Sequence, residues 1–354
     1  DGAVVAAART LLESLMVRRI KGEVESGLLP KQQFVLKVPL QPLQRKWYRS
    51  LLDWKRKDGD VLVEEEAEGG SSESEEGGKA LLASGGNASG SGSATTLLSH
   101  KQLLSRMLQL QKVINHPKSV LLTLDRDREA ARHLAKRAEG SEFVTIPACL
   151  QPPTAQALAA EEELRGLNTV EGLTQSCGKL ALLDRLLGQH LAAGSRCLVF
   201  SQFTLTLDVL QEYCALRFGP EGTGFLRLDG ATNRIKREMD VRSFNAAHSP
   251  VGVYLISTRA GGMGINLATA DIVVLYDTCW NPQVDLQAQD RAHRIGQKKQ
   301  VKVYRLIAEE SFEERVLARA RQKLILDAMV IKKKGEVDRA AQGLSSHAAS
   351  SASS

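Results

Sequence analysis

Between residues 171 and 309 the spacing of apolar positions changes period again and again. Helical runs (KLALLDRLLGQHL, TLTLDVLQEYCAL, NRIKREMDVRSF, VDLQAQDRAHR) alternate with near-continuous apolar runs (RCLVF, FLRL, VGVYLIS, DIVVLYD, VKVYRLI). A strand that is apolar at every position is buried on both faces, and such strands alternating with helices make a parallel sheet covered on both sides. The pattern predicts an α/β fold over 171–309, a doubly wound parallel sheet of five strands. Residues 1–57 read as helical segments and connections, with Leu11, Leu12, Leu15 and Met16 ahead of Arg18, Arg19 and Lys21, and then Leu43, Trp47 and Leu51 at four-residue steps. A helical lead-in occupies 97–170: LLSRMLQLQKVIN ends at Pro117, a charged helix covers 125–138, and a Pro-containing loop and short helix follow. A closing helix at 310–336 carries the stripe Phe312, Val316, Ala320 and Leu324, which should dock on neighbouring structure.

Two stretches break this order. Over 58–96 the composition turns to Glu, Gly and Ser, with Glu64, Glu65 and Glu66 in a row and then GGNASGSGS; such a segment buries too little apolar surface to offset its ordering entropy and reads as a disordered insertion. Residues 337–354, beyond Lys332, Lys333 and Lys334, are mostly Ala and Ser and read as a disordered tail.

Charge changes the picture little. Lys and Arg number 47 against 41 acids, a net +6, which permits a nucleic-acid partner without requiring one. Cys149, Cys177, Cys197, Cys214 and Cys279 lack the paired short spacing that holds zinc, so no metal site is expected, and they fit a reducing compartment. No apolar run is long enough to span a bilayer and no signal peptide opens the chain, so a soluble protein with no membrane partner is expected, and the start at Asp1 suggests a fragment of a longer chain.

In an open parallel sheet, ligands bind beyond the carboxyl ends of the strands. The residues there are Ser201 and Gln202 after RCLVF, Asp229 and Gly230 after FLRL, Ser257, Thr258 and Arg259 after VYLIS, and Asp277 after IVVLY. Loops are polar in any case, but four polar strand ends in register form a stronger pattern. The loop STRAGGMGINL adds Gly261, Gly262 and Gly264, which permit tight turns and close approach of a ligand. Trp280 follows a strand, where its ring could stack on a base or sugar or be buried in the core.

The stretch QAQDRAHRIGQ places Arg291 and Arg294 three residues apart, on one side of a helix, with Gln287 one turn earlier. Paired guanidinium forks suit phosphate oxygens, although a solvated helix face carries such pairs too. His293, between them, reads as a packing or hydrogen-bonding residue. The sequence has no Gly-x-x-x-x-Gly-Lys-Ser/Thr loop and no Asp-Glu dipeptide, so the principal nucleotide cradle is absent from it.

Read in order, these residues resemble the second RecA-like lobe of the Swi/Snf family of helicase-like ATPases, the motors of chromatin remodelling. LVFSQFTLTLDVL, RLDGAT, ISTRAGGMGINLATAD and YDTCWNPQVDLQAQDRAHRIGQ are similar to the family's fourth to sixth motifs, and MVRRIKGEVESGLLPKQ, LQRKWYRSLL and INHP to its segments between the lobes. QRKWY and the LARARQKLILDAMVI ending most resemble the imitation-switch branch, with the chromodomain-helicase branch close behind. Leu29, Cys177 and the pair Lys118-Ser119 depart from the family's pattern.

The resemblance implies a RecA-like helicase C-terminal lobe with a helical lead-in and a C-terminal helix. It implies that Arg291 and Arg294 are arginine fingers for ATP on the first lobe of the same parent chain, that Gly264 and Gln287 line that cleft, and that Gln202, Ser257, Thr258 and Trp280 grip a DNA backbone. ATP and Mg2+, the latter held mainly by the first lobe, would be the cofactors. Double-stranded DNA in nucleosomes would be the partner, the nucleus the location, and the parent a DNA-dependent ATPase of which this chain alone is inactive. The alternatives are a non-catalytic DNA- or partner-binding lobe and a repair or recombination translocase.

Overall fold

A computed structural model of the protein describes residues 28–53, 100–137, 161–261 and 264–331. The first predicted helix, the acidic insertion, Gly262, Cys149 and the terminal tail lie outside the described residues.

Six parallel strands, β1 Gln32–Val38, β2 Cys197–Ser201, β3 Phe225–Leu228, β4 Val253–Ser257, β5 Ile272–Leu275 and β6 Lys302–Ala308, form one sheet in the order β1-β6-β5-β2-β4-β3. Every residue of β2, β4 and β5 is buried, which is why these segments are apolar throughout. Because side chains alternate across a strand, Cys197, Val199, Val253, Leu255, Ile272 and Val274 feed one core, and Leu198, Phe200, Tyr254, Ile256, Val273 and Leu275 feed the other.

The helices in chain order are α1 Pro42–Asp53, α2 His100–Asn115, α3 Lys118–Arg137, α4 Val170–Ser176, α5 Gly178–Ala192, α6 Thr204–Phe218, α7 Arg234–Asn245, α8 Thr258–Gly261, α9 Pro282–Gln289 and α10 Phe312–Ile331. Leu180, Leu183 and Leu187 of α5 and Leu207, Leu210 and Tyr213 of α6 close the first core, while Phe244 of α7 and Ala288 of α9 close the second. The sheet is therefore wound on both faces, as the periodicity predicts. Phe312 of α10 packs with Leu40, Ile114 and Ala308, and Val316 and Ala320 are buried along its expected stripe.

Three expectations need correction. The sheet has a sixth strand, β1, inside the segment read as helices and connections. It is an edge strand with exposed Gln32 and Gln33, so it lacks the apolar signature of its neighbours. Gly178 lets α5 begin against its end, since a Cβ there would lie 2.4 Å from the Pro39 carbonyl oxygen and 2.8 Å from Val38. The charged helix begins at Lys118 rather than at 125, directly after Pro117, because proline stops a preceding helix but is tolerated where the next one starts.

The third correction concerns the arginines. The helix predicted through Arg294 ends at Gln289, so Arg291 and Arg294 do not project from one helical face. In a continuing helix the Arg291 carbonyl would accept from Ile295; instead it accepts from Leu267 N (3.1 Å), while Gln297 Nε2 donates to the Ala292 carbonyl (3.2 Å). A tertiary partner, Leu267, and a side chain from five residues on, Gln297, thus capture the carbonyls on which the next turn depends. Short turns replace it (Arg294 N to Ala292 O, 3.1 Å; Gln297 N to Arg294 O, 3.0 Å), with Gly296 left-handed at φ +97°.

Candidate functional site: a polar strand edge and an arginine loop

The carboxyl ends of β5, β2, β4 and β3 lie side by side in that order. Ser201 and Ser257 are register partners at the ends of β2 and β4, and Tyr276, just past β5, donates its amide to the Phe200 carbonyl (3.0 Å). Four polar loops therefore share one edge. Asp277 organises its centre, accepting from Ser201 Oγ (2.5 Å), Gln202 N (3.0 Å), Gln202 Nε2 (3.1 Å) and Asn115 Nδ2 (3.3 Å). Burial pushes the Asp277 carboxyl up to about 6, against the opposing pull of Ser201, Lys179 and Gln202.

Beneath this edge lies a buried ion pair that sequence reasoning missed. Lys179 Nζ meets Glu313 Oε1 at 2.6 Å with both side chains 1% exposed, and Lys179 also donates to the Tyr276 carbonyl (3.1 Å) and Asn115 Oδ1 (3.4 Å). Glu313 accepts further from Gln111 Nε2 (2.6 Å) and from Ala308 N (2.8 Å). The network ties α5, α2, α10 and the chain at the ends of β5 and β6 to one point. Its one sequence signal is a charged residue on the apolar face of a helix, Lys179 before Leu180.

The INHP segment has a structural part in this. Asn115 belongs to the network, while His116 is locked as a neutral ring, its Nδ1 accepting from Lys118 N (3.1 Å) and its Nε2 lying 3.1 Å from the Leu173 carbonyl; burial lowers it to about 4. Two departures from the family pattern also find partners. Lys118 Nζ pairs with Glu212 (2.6 Å) and donates to the Leu167 carbonyl (2.7 Å), and Cys177 Sγ donates to the Asn115 carbonyl (3.0 Å).

Of the residues singled out on this edge, Gln202 is half-buried and held by Asp277, and Trp280 is 42% exposed, so its ring is not buried in the core. Ser257 and Thr258 are covered, at 5% each, and the Thr258 hydroxyl is buried with no hydrogen-bond partner. Asn281 caps α9 by accepting from Gln283 N (3.1 Å), with Pro282 in the first turn.

A second group assembles on the loops that follow α8 and α9. Arg294 is exposed, and its Nη1 is 3.5 Å from the Gly264 carbonyl oxygen; Leu267 N holds the Arg291 carbonyl. Gly264 has φ +65° and open space around a would-be Cβ, so its conformation, not crowding, calls for glycine. Arg291 is half-buried, and its guanidinium is shifted down by burial and by the neighbouring Arg294, with Asp290 pulling the other way. Two cationic groups held close together repel each other and favour an anion between them. Gln287 lies on the exposed side of α9. Gly264, Arg291 and Arg294 thus come together, whereas Gln202 and Trp280 belong to the strand edge.

These residues fit the phosphate tail of a nucleotide: permanent charge, planar donors and a glycine loop alongside. Among the described residues no group of His, Cys, Asp and Glu could hold a metal ion, and no helix is long and apolar enough to cross a membrane.

Comparison with known proteins gives the family of the chain. The family model described as helicase conserved C-terminal domain matches residues 178–296, and the SNF2-related domain model matches 2–119. The chain is 39% identical over 328 residues to the ISWI chromatin-remodeling complex ATPase ISW1 of Saccharomyces cerevisiae, covering 93% of this chain and 23% of that protein. It is 37% identical over 338 residues to the human SWI/SNF-related matrix-associated actin-dependent regulator of chromatin subfamily A member 1, covering 96% and 25%. It therefore spans about a quarter of the length of these relatives. The crystal structure of the C-terminal part of the Fun30 ATPase domain is similar in fold, with a TM-score of 0.53 at 23% identity, covering 88% of this chain and 96% of that one. The matched motifs and the parallel sheet that carries them place the chain in the SNF2-related family of helicase-like ATPases, in the part that holds the helicase C-terminal domain.

Proposed function

We propose that this chain is the second motor lobe of an ATP-dependent DNA translocase that acts on nucleosomes in the nucleus. The observation that carries the reading is the exposed Arg294 guanidinium beside the left-handed Gly264, with Arg291 in the same short loop. Closure of the two lobes would bring both arginines to the phosphates of ATP seated on the first lobe, with Gln287 lining the same cleft. ATP supplies the phosphoryl group and Mg2+, held mainly by the first lobe, neutralises part of its charge. The work of this lobe is positioning and charge. Arg291 and Arg294 stabilise the negative charge that builds on the transferring group, and the loop that carries them excludes water as the cleft closes.

Gln202 and Trp280 on the strand edge would meet the DNA backbone, the first through its amide and the second through its indole face. Ser257 and Thr258, being covered, support that edge from beneath. The division of labour places the track at the strand ends and the fuel at the arginine loop. Alone, this chain does not turn over ATP, because the nucleotide cradle is supplied by the other lobe.

The test is turnover by the full-length protein. Arg291→Ala and Arg294→Ala each lower DNA-stimulated ATP hydrolysis by about 10³–10⁵-fold, the range typical of such fingers, and leave DNA affinity intact. An unchanged rate in both variants would point instead to a non-catalytic, DNA- or partner-binding lobe.

A further inference from the structure

Leu29, Pro30 and Lys31 ahead of β1, and Gln32 at its start, each hydrogen-bond to the segment that carries the arginines. The Leu29 carbonyl accepts from His293 Nε2 (2.9 Å), the Pro30 carbonyl from Gln300 Nε2 (3.4 Å), Lys31 Nζ donates to Gln289 Oε1 (2.6 Å), and Gln32 N donates to the Val301 carbonyl (2.9 Å). A carbonyl only accepts, so His293 carries a proton on Nε2 and that nitrogen is no base.

The sheet order places these contacts. β6 lies between β1 and β5, so the segment 289–301 entering β6 is flanked by the approach to β1 on one side and by the approach to β5 on the other. On the β5 side it is held by Leu267 N to Arg291 O (3.1 Å) and Gln297 Nε2 to Ala270 O (2.7 Å). On the β1 side it is held by residues 29–32. His293 stands between Arg291 and Arg294 just past α9, its amide donating back to the Gln289 carbonyl (3.0 Å), so the bond from its ring to Leu29 acts at the centre of the arginine loop.

We infer that residues 29–32 are a strap that sets the arginine loop, with His293 as its positioning residue. This rests on the reading of Arg291 and Arg294 as fingers and deepens it. Residues 2–119, which contain the strap, match the SNF2-related domain model, whereas the arginine loop lies in the helicase C-terminal match. A displacement of residues 29–32 would therefore reach the arginine loop through His293 and Gln289. Leu29, itself exposed, takes part through its backbone, so its side chain is free to vary.

The experiment compares His293→Ala, His293→Gln, Lys31→Met and Arg294→Ala in the full-length protein, measuring kcat and KM for ATP, DNA affinity and melting temperature. The strap predicts that His293→Ala lowers kcat by about tenfold to a hundredfold, the scale of a small misplacement of catalytic groups. KM, DNA affinity and melting temperature stay near those of the parent. His293→Gln, which keeps an N–H donor, recovers most of the rate, and Lys31→Met, on the other side of the same connection, lowers kcat in the same direction by less. An unchanged kcat in His293→Ala and Lys31→Met, with Arg294→Ala impaired, overturns the strap and spares the fingers. An unchanged kcat in Arg294→Ala overturns the underlying reading of the arginines. A loss in His293→Ala that tracks a fall in melting temperature and is not recovered by Gln reduces His293 to a structural residue and also overturns the proposal.

Discussion

The buried network around Lys179 and Glu313 and the loop around Arg291 and Arg294 solve opposite problems with the same kinds of group. In the first, a cation and an anion are sealed at 1% exposure with their remaining hydrogen-bonding capacity taken up by Asn115, Gln111, Tyr276 and Ala308. In the second, two cations lie near each other in short turns, and Arg294 touches the fold through a 3.5 Å contact with Gly264. A satisfied buried pair specifies an arrangement of elements. Like charges brought together and partly exposed gain most when an anion arrives. On the proposed function, the comparison teaches where stability and function divide in this lobe, under the strand edge and on the loop that leads to β6.

Single substitutions can break that contrast, and the largest expected effect is on the loop. Arg294→Ala should cost about 10³–10⁵-fold in turnover of the full-length protein while shifting stability by no more than about 0.5 kcal/mol, as exposed positions do. Comparing turnover with the denaturant midpoint checks both halves. The network should behave in reverse. Glu313→Ala leaves Lys179 buried without its anion and should destabilise by about 3–5 kcal/mol, read from urea unfolding. A loss below about 1 kcal/mol would mean that the pair is not the anchor its burial suggests.

Next in size is a pH effect from Asp277. Its folded carboxyl sits at about 6 against an ordinary value of 3.8, so the native state holds the proton more tightly than the unfolded chain. That contribution to stability is full below about pH 4 and is lost as pH rises to about 6, and the two-unit gap sets an upper size of about 3 kcal/mol. His116, lowered by burial to about 4, gives the opposite slope over much of the same window, so the measurement must be a difference. Relative to the parent, Asp277→Asn should gain in melting temperature as pH rises from 4 to 7; a constant offset would contradict the assignment. The smallest effect is expected for Gly264→Ala. With open space around the Cβ, the cost is that of a left-handed conformation alone, about 1–2 kcal/mol by thermal melting.

The strands most legible in the sequence are those with no solvent face. RCLVF, VYLIS and IVVL are apolar because both sheet faces are covered, and they appear as β2, β4 and β5. β1 was hidden for the converse reason, since Gln32 and Gln33 are exposed at a sheet edge. The helix predicted through Arg294 shows a second limit. Periodicity reports which residues could lie on one face, but the turn after Gln289 is decided by Leu267, which captures the Arg291 carbonyl from outside the local sequence. The candidate residues were legible by type and motif, and Arg294 with Gly264 is a pair that spacing alone could not propose, since the two are 30 residues apart. The Lys179–Glu313 pair, 134 residues apart, was invisible for the same reason.

The central claim is that Arg291 and Arg294 act on charge that exists only as the phosphoryl group transfers, and nucleotide binding to the full-length protein on duplex DNA tests it most directly. Affinities for ADP and for ADP with aluminium fluoride, which mimics the transferring group, are measured for the parent and for Arg294→Ala. Because catalytic groups bind the transition state better than the ground state, the variant should bind ADP as the parent does and lose on the order of a hundredfold or more for the fluoride complex. Equal affinities of parent and variant for both ligands, or an equal loss for both, would contradict the account.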